Sequence, residues 1–179
     1  MKTTQILIAG FGGQGILFSG KFLAYKGLKE ELQVSWLPSY GPEMRGGTAN
    51  CNVILSEMPV GSPIITTPDV LIAMNLPSLQ KYVDSVACGG QIYVDSSLID
   101  VKVDRRDVEV FYIPATQMAK DAGIGTLANM IIIGHLLENH PELSFEGVEA
   151  VVESLVPPKK AALKELNMKA LTLGKNYSK

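Results

Sequence analysis

The stretch from Gln5 to Gly27 constrains the fold more than any other part of the chain. A short apolar run, Ile6-Leu7-Ile8-Ala9, leads into Gly10-Phe11-Gly12-Gly13-Gln14-Gly15 and then into Ile16-Leu17-Phe18-Ser19-Gly20-Lys21-Phe22-Leu23-Ala24. The pattern reads as a buried strand, a glycine turn and the opening of a helix. Gly10, Gly12 and Gly15 fall on the G-x-G-x-x-G spacing in the strand-to-helix context that this motif requires. The first glycine permits a tight turn and the second a close backbone approach to a phosphate. The third lets the helix pack close to the strand, with its positive end facing outward. A glycine costs roughly 0.5–1 kcal/mol inside a regular element, so a glycine-dense turn marks a special backbone shape. Two readings stay open on this motif alone: Gly10, Gly12, Gly13, Gln14 and Gly15 form a phosphate or nucleotide turn, or a tight turn without a ligand.

The residues further on weaken the dinucleotide reading. An Asp or Glu belongs at the end of the second strand, about 20 residues past the glycines, to hold the ribose hydroxyls. The second strand is expected at Gln33-Val34-Ser35-Trp36-Leu37 and runs into Pro38-Ser39, while Glu30 and Glu31 precede it. Gly15, Gly20 and Lys21 also approach G-x-x-x-x-G-K, but Phe22 stands where a Ser or Thr would hold the metal. A nucleotide triphosphatase is therefore disfavoured.

The order of the remaining segments defines the fold class. Only about ten residues separate the second strand from the alternating stretch Thr48–Leu55, and they do not look helical. A parallel crossover usually needs a dozen or more residues, so this third strand is expected to be antiparallel. After an irregular connection to Pro68, strands are expected at 69–75, 91–95 and 108–113. Helices are expected at 77–87 (capped by Ser78 and stopped by Gly89-Gly90), 115–122 and 126–138. Two more are expected from a Ser144 cap to Leu155, and over 159–173 with Leu163, Leu166, Ala170 and Leu173 on one face. The expectation is a single α/β domain over residues 1–179. It is a Rossmann-like three-layer α/β/α sandwich whose mostly parallel sheet has at least one antiparallel strand. Gly10–Gly15, the loop after Leu37, Asn75 and Asp95-Ser96-Ser97 then share the carboxyl edge of the sheet, where such folds bind ligands.

Composition narrows the function. A formal net charge of −2 gives no electrostatic reason to expect nucleic-acid binding. No apolar segment approaches the ~18 residues of a membrane span, and Met1-Lys2-Thr3-Thr4 enters the first strand directly, so a cytoplasmic protein is expected. Cys51 and Cys88 lack a C-x-x-C partner and read as small core residues. His135 and His140 sit beside no cysteine or carboxylate cluster, so no metal site is expected.

A second motif is more informative than the first. Tyr40-Gly41-Pro42-Glu43-Met44-Arg45-Gly46-Gly47 places an aromatic and an arginine, both anchor-type residues of buried surfaces, in a stretch stiffened by proline. Together with Gly10–Gly15 about 25 residues earlier, this loop resembles the gamma subunit (domain III equivalent) of the 2-oxoacid:ferredoxin oxidoreductases. The resemblance extends to Asp69–Asn75, to Asn129 with Gly134, and to Phe145-Glu146 and Asn167, covering nearly the whole chain. It implies a hetero-oligomer in which alpha and beta subunits hold thiamine diphosphate and beta or delta subunits hold iron–sulfur clusters. That assembly converts a 2-oxoacid to an acyl-coenzyme A and reduces ferredoxin.

The resemblance implies no catalytic residue here and an inactive isolated chain, which would self-associate as a homodimer through its orphaned apolar surface. Tyr40, Gly41, Pro42, Glu43, Arg45, Gly46, Gly47 and Asn129 are expected at a subunit interface or near coenzyme A. The small size and the lack of an appended cluster domain point to the 2-oxoglutarate or branched-chain types. Two alternatives remain: a free-standing NAD(P)- or FAD-dependent oxidoreductase, and an assembly module without a redox role.

Overall fold

The computed structural model describes residues 2–39 and 48–178. The strands are β1 (Thr3–Phe11), β2 (Gln33–Ser39), β3 (Thr48–Ser56), β4 (Val70–Ala73), β5 (Gln91–Asp95) and β6 (Glu109–Ile113). The helices are α1 (Ile16–Lys29), α2 (Leu76–Tyr82), α3 (Ala115–Asp121), α4 (Ala128–Asn139), α5 (Val148–Leu155) and α6 (Ala161–Lys175). One sheet runs in the order β2-β3-β1-β4-β5-β6. β1, β4, β5 and β6 pair in parallel, and β3 is antiparallel to both β1 and β2. β2 and β3 thus run antiparallel, as their short separation in sequence predicts.

β1 lies near the middle of the sheet and is buried on both faces, which is why its sequence reads as a continuous apolar run. Ile6 and Ile8 join a large core with α1, α3, α4, α5 and α6, whereas Leu7 points to a smaller core with Leu79 of α2. The three layers are therefore unequal. Because α1 and α2 pack on opposite faces while β1 and β4 are neighbours, the chain switches sides between these two strands. That switch point is where open α/β sheets form a crevice.

Several expected boundaries shift, each for a local reason. The cap of α2 is Asn75, whose Oδ1 accepts the Ser78 N–H at 2.8 Å, not Ser78 itself. The helix also ends earlier than Gly89-Gly90, passing into a 3₁₀ turn at Val83–Ser85. Arg105 closes that end, its Nη1 donating to the carbonyls of Val83 (2.9 Å) and Val86 (2.8 Å). α5 starts after Gly147 (φ 73°), while Ser144 Oγ accepts the Glu146 N–H in a separate turn. The buried face of α6 is Asn167, Ala170, Leu171 and Gly174, and Leu163 is 41% exposed. Of the two cysteines, Cys51 is buried and its thiol is pushed up to about 12 by burial. Cys88 is exposed, contrary to its expected place in the core.

α4 is buried from Ala128 to Leu137 and crosses α6 at Gly134 and Gly174. A methyl on Gly174 would land inside the Ile131 carbonyl, and one on Gly134 inside the Leu171 carbonyl. The two backbones touch there. His135 sits beside this crossing with Nδ1 3.1 Å from the Gly174 carbonyl, and its ring meets Phe111, Tyr93 and Tyr177 edge-on.

Candidate functional site

The carboxyl ends of β1 and β4 frame the candidate site. β1 ends at Phe11, Gly12 and Gly13 form an exposed turn, and Gly15 is the N-cap of α1. Gly13 (φ 92°) and Gly15 (φ 75°) both take left-handed backbone, which glycine adopts at little cost. Around Gly13 there is open space. Gly10 and Gly15 instead have no room. A Cβ on Gly10 would lie 2.6 Å from Gln14 Oε1 and 2.8 Å from Met74 Cβ, and one on Gly15 would lie 2.5 Å from Asn129 Nδ2.

Beside Ile16 and Met74, the neighbours that fill these spaces are two polar residues picked out in the sequence, Gln14 and Asn129. Gln14 Oε1 accepts the Phe11 N–H at 2.6 Å, and Gln14 Nε2 donates to the Met74 carbonyl at 2.9 Å. Asn129, only 4% exposed, reaches across from α4 to donate to the Gly15 carbonyl (3.1 Å) and to Ser19 Oγ (2.9 Å). Below the turn, Cys51 Sγ donates to the Ile16 carbonyl at 3.4 Å. The first turn of α1 is thus tied to α4 on one side and to β3 on the other. Gly15 has no side chain with which to cap α1, so among the described residues the positive end of that helix is directed at the crevice.

At the other strand ends, the Asp95 carboxylate and Asn75 Oδ1 are committed to internal bonds. Asp95, fully buried, accepts from Thr116 Oγ1 (2.6 Å), Thr116 N (3.3 Å) and Ser97 N (3.1 Å), joining β5 to the start of α3. Asn75 caps α2. Sequence reasoning missed Ser19 and Met74, whose signals are a lone serine and a backbone carbonyl. Tyr40, Gly41, Pro42, Glu43, Arg45, Gly46 and Gly47 lie outside the described residues. Among the described residues, no group of three or more His, Cys, Asp or Glu side chains is placed to hold a metal ion. The donor set does not fit an iron–sulfur cluster, whose ligands are four cysteines or two cysteines with two histidines. Cys51 is buried against the Ile16 carbonyl, Cys88 is exposed, and His135 is engaged with the Gly174 carbonyl. No described helix is long and apolar enough to cross a membrane.

A central β1–glycine turn–α1 unit with a switch point at β4 defines a Rossmann-like α/β domain with a carboxyl-edge crevice. Residues 5–177 match the family described as pyruvate ferredoxin/flavodoxin oxidoreductase, and the chain belongs to that family. It is similar to 2-oxoglutarate synthase subunit KorC of Methanothermobacter marburgensis, with 34% identity over 178 residues covering 96% of this chain and 94% of the relative. It is also 40% identical over 136 residues to ketoisovalerate oxidoreductase subunit VorA of the same organism. That match covers 76% of this chain but spans only 28% of the relative's length. Among solved structures, it resembles the keto/oxoacid ferredoxin oxidoreductase gamma subunit from Geobacter sulfurreducens PCA. There the TM-score is 0.80 and the identity 31%, with 96% of this chain and 95% of the other covered.

Proposed function

We propose that this chain is the gamma subunit of a multi-subunit 2-oxoacid:ferredoxin oxidoreductase, with residues 1–179 acting as one domain. In this reading, alpha and beta subunits, with a delta subunit in some assemblies, carry thiamine diphosphate and the iron–sulfur clusters. The assembly decarboxylates a 2-oxoacid, transfers the acyl group to coenzyme A and passes electrons to ferredoxin. The observation that carries the reading is that the same domain accounts for nearly all of one relative and for 28% of another. A unit that stands alone in one protein and is joined to a longer chain in another is one that works against a partner. The relatives' names point to 2-oxoglutarate or a branched-chain 2-oxoacid as substrate.

Within the assembly, the chain supplies shape and docking area at the coenzyme A approach. The Gly10–Gly15 turn with the uncapped end of α1 faces the crevice as an anion-accepting edge, and Asn129 holds that turn from behind. Tyr40, Glu43 and Arg45, in the Gly41-Pro42 to Gly46-Gly47 frame, are the anchors offered to a neighbouring subunit or to coenzyme A. The test is purification of the tagged chain from its native cell, with partner masses, iron content and 2-oxoacid- and coenzyme A-dependent reduction of a viologen dye. Co-purifying iron-containing chains with that activity are expected, and Arg45→Ala should lower partner recovery or raise the KM for coenzyme A. A chain that purifies alone and binds NAD(H), NADP(H) or FAD at micromolar concentration in calorimetry would overturn the proposal.

A further inference from the structure

The β1–β4 ladder ends in an unusual way. In a parallel pair, one residue's N–H donates across and the rung after it returns from two residues further along the first strand. The Met74 N–H donates to the Ala9 carbonyl at 2.9 Å, so the returning rung would join the Phe11 N–H to the Met74 carbonyl. That bond is replaced by a side chain. The Phe11 N–H goes to Gln14 Oε1, and Gln14 Nε2 goes to the same Met74 carbonyl. The Gln14 amide is inserted as a surrogate peptide group between the two strands. Its orientation is fixed, because Phe11 offers only a donor and Met74 only an acceptor.

We infer that Gln14 is a positioning residue that wedges β1 and β4 apart by one amide at the switch point and latches the glycine turn in shape. The Gln14 N–H also donates to the Phe11 carbonyl at 3.3 Å, so both backbone polar groups of Phe11 are held by one residue. Gly10 is glycine because Gln14 Oε1 and Met74 Cβ leave no space for a methyl. Few other side chains perform this task. Glutamate accepts but does not donate when ionised, lysine and arginine donate but do not accept, and asparagine is one methylene short. The latch itself follows from the bonding alone. Its consequence for coenzyme A rests on the reading given under Proposed function.

Two measurements separate these levels. In the full chain labelled with ¹⁵N and ¹³C, scalar couplings across the hydrogen bonds should link Phe11 N to Gln14 Cδ and Gln14 Nε2 to the Met74 carbonyl carbon. In Gln14→Met, a shape-matched side chain without either group, the Phe11 amide should exchange roughly tenfold faster, the equivalent of one lost hydrogen bond. Gln14→Glu should keep the Phe11 bond and lose only the Met74 coupling. A direct Phe11-to-Met74 coupling in the unmodified chain, or unchanged Phe11 exchange in a folded Gln14→Met, would overturn the latch. In the assembled enzyme, Gln14→Met should raise the KM for coenzyme A severalfold at nearly constant kcat. Faster Phe11 exchange with an unchanged KM would sustain the latch and remove the placement of coenzyme A at this edge.

Discussion

Two pairs of glycines hold this molecule together, and they are glycine for different reasons. At the carboxyl edge, Gly10 and Gly15 make way mainly for side chains, those of Gln14, Ile16, Met74 and Asn129. At the α4–α6 crossing, Gly134 and Gly174 make way for backbone, the carbonyls of Leu171 and Ile131. The ends of Gln14, Ile16 and Asn129 have rotamers to retreat into, although Met74 Cβ is fixed to its backbone, whereas a helix carbonyl moves only if its helix moves. The edge is therefore more adjustable than the crossing, which suits the proposed role of the crevice in meeting other molecules and a core that only supports it.

The comparison is broken most directly at the crossing. Gly174→Ala should cost about 3 kcal/mol or more, since overpacking against fixed backbone has no local relief. With a shift of ~2–4 °C per kcal/mol for a chain of this size, the melting temperature by circular dichroism should fall by about 10 °C. A fall of only a degree or two would show that α4 and α6 slide freely. Gly15→Ala combines left-handed backbone with displacement of Asn129 and should cost about 2 kcal/mol. Asn129→Gly should remove part of that penalty when combined with it, because the obstructing side chain is then gone. Strict additivity of the pair would deny that Asn129 is what Gly15 accommodates.

The crossing is expected to respond to pH through His135. Burial holds its imidazole below the ordinary histidine range, against the opposing pull of the Gly174 carbonyl and Glu138. His140 shifts in the same direction, again chiefly through burial. The unfolded chain therefore takes up these protons first, so stability is full above the ordinary value of about 6.5 and declines as pH falls through it. Melting curves from pH 7.5 down to 5.5 should show this decline, and His135→Gln should flatten it. A curve of unchanged slope in that variant would place the sensitivity elsewhere.

These contrasts also explain what the sequence made legible. The glycine turn announces itself locally: an apolar run, clustered glycines and a helix start lie within a few residues. The antiparallel β3 was readable from connection length alone. The α4–α6 crossing was not, because nothing near Gly134 says that Gly174, 40 residues on, will face it. Gly134 entered only through family resemblance, and Leu163 looked like helix core by spacing although tertiary packing turned α6 onto its Asn167–Gly174 side. At the candidate site, Gln14, Gly15 and Asn129 were picked out, but not the partners Met74 and Ser19. Met74 contributes a backbone carbonyl, which carries no side-chain signature, and Ser19 lies 110 residues from Asn129. Asn75 and Ser78 both suit a helix cap, and only the backbone bond to Oδ1 decides between them.

The smallest expected effect sharpens the comparison furthest. Gly13 has left-handed backbone but open space around it, so in the isolated chain Gly13→Ala should cost only the intrinsic backbone penalty of about 1 kcal/mol. In the full assembly the same methyl sits on the exposed turn beside the crevice where a neighbour or coenzyme A is proposed to lie. If that placement holds, Gly13→Ala should lower partner recovery or raise the KM for coenzyme A far more than its effect on melting implies. If melting, recovery and kinetics all move by the same small amount, the turn is a strand-to-helix connection alone, and its glycines answer only to Gln14 and Asn129.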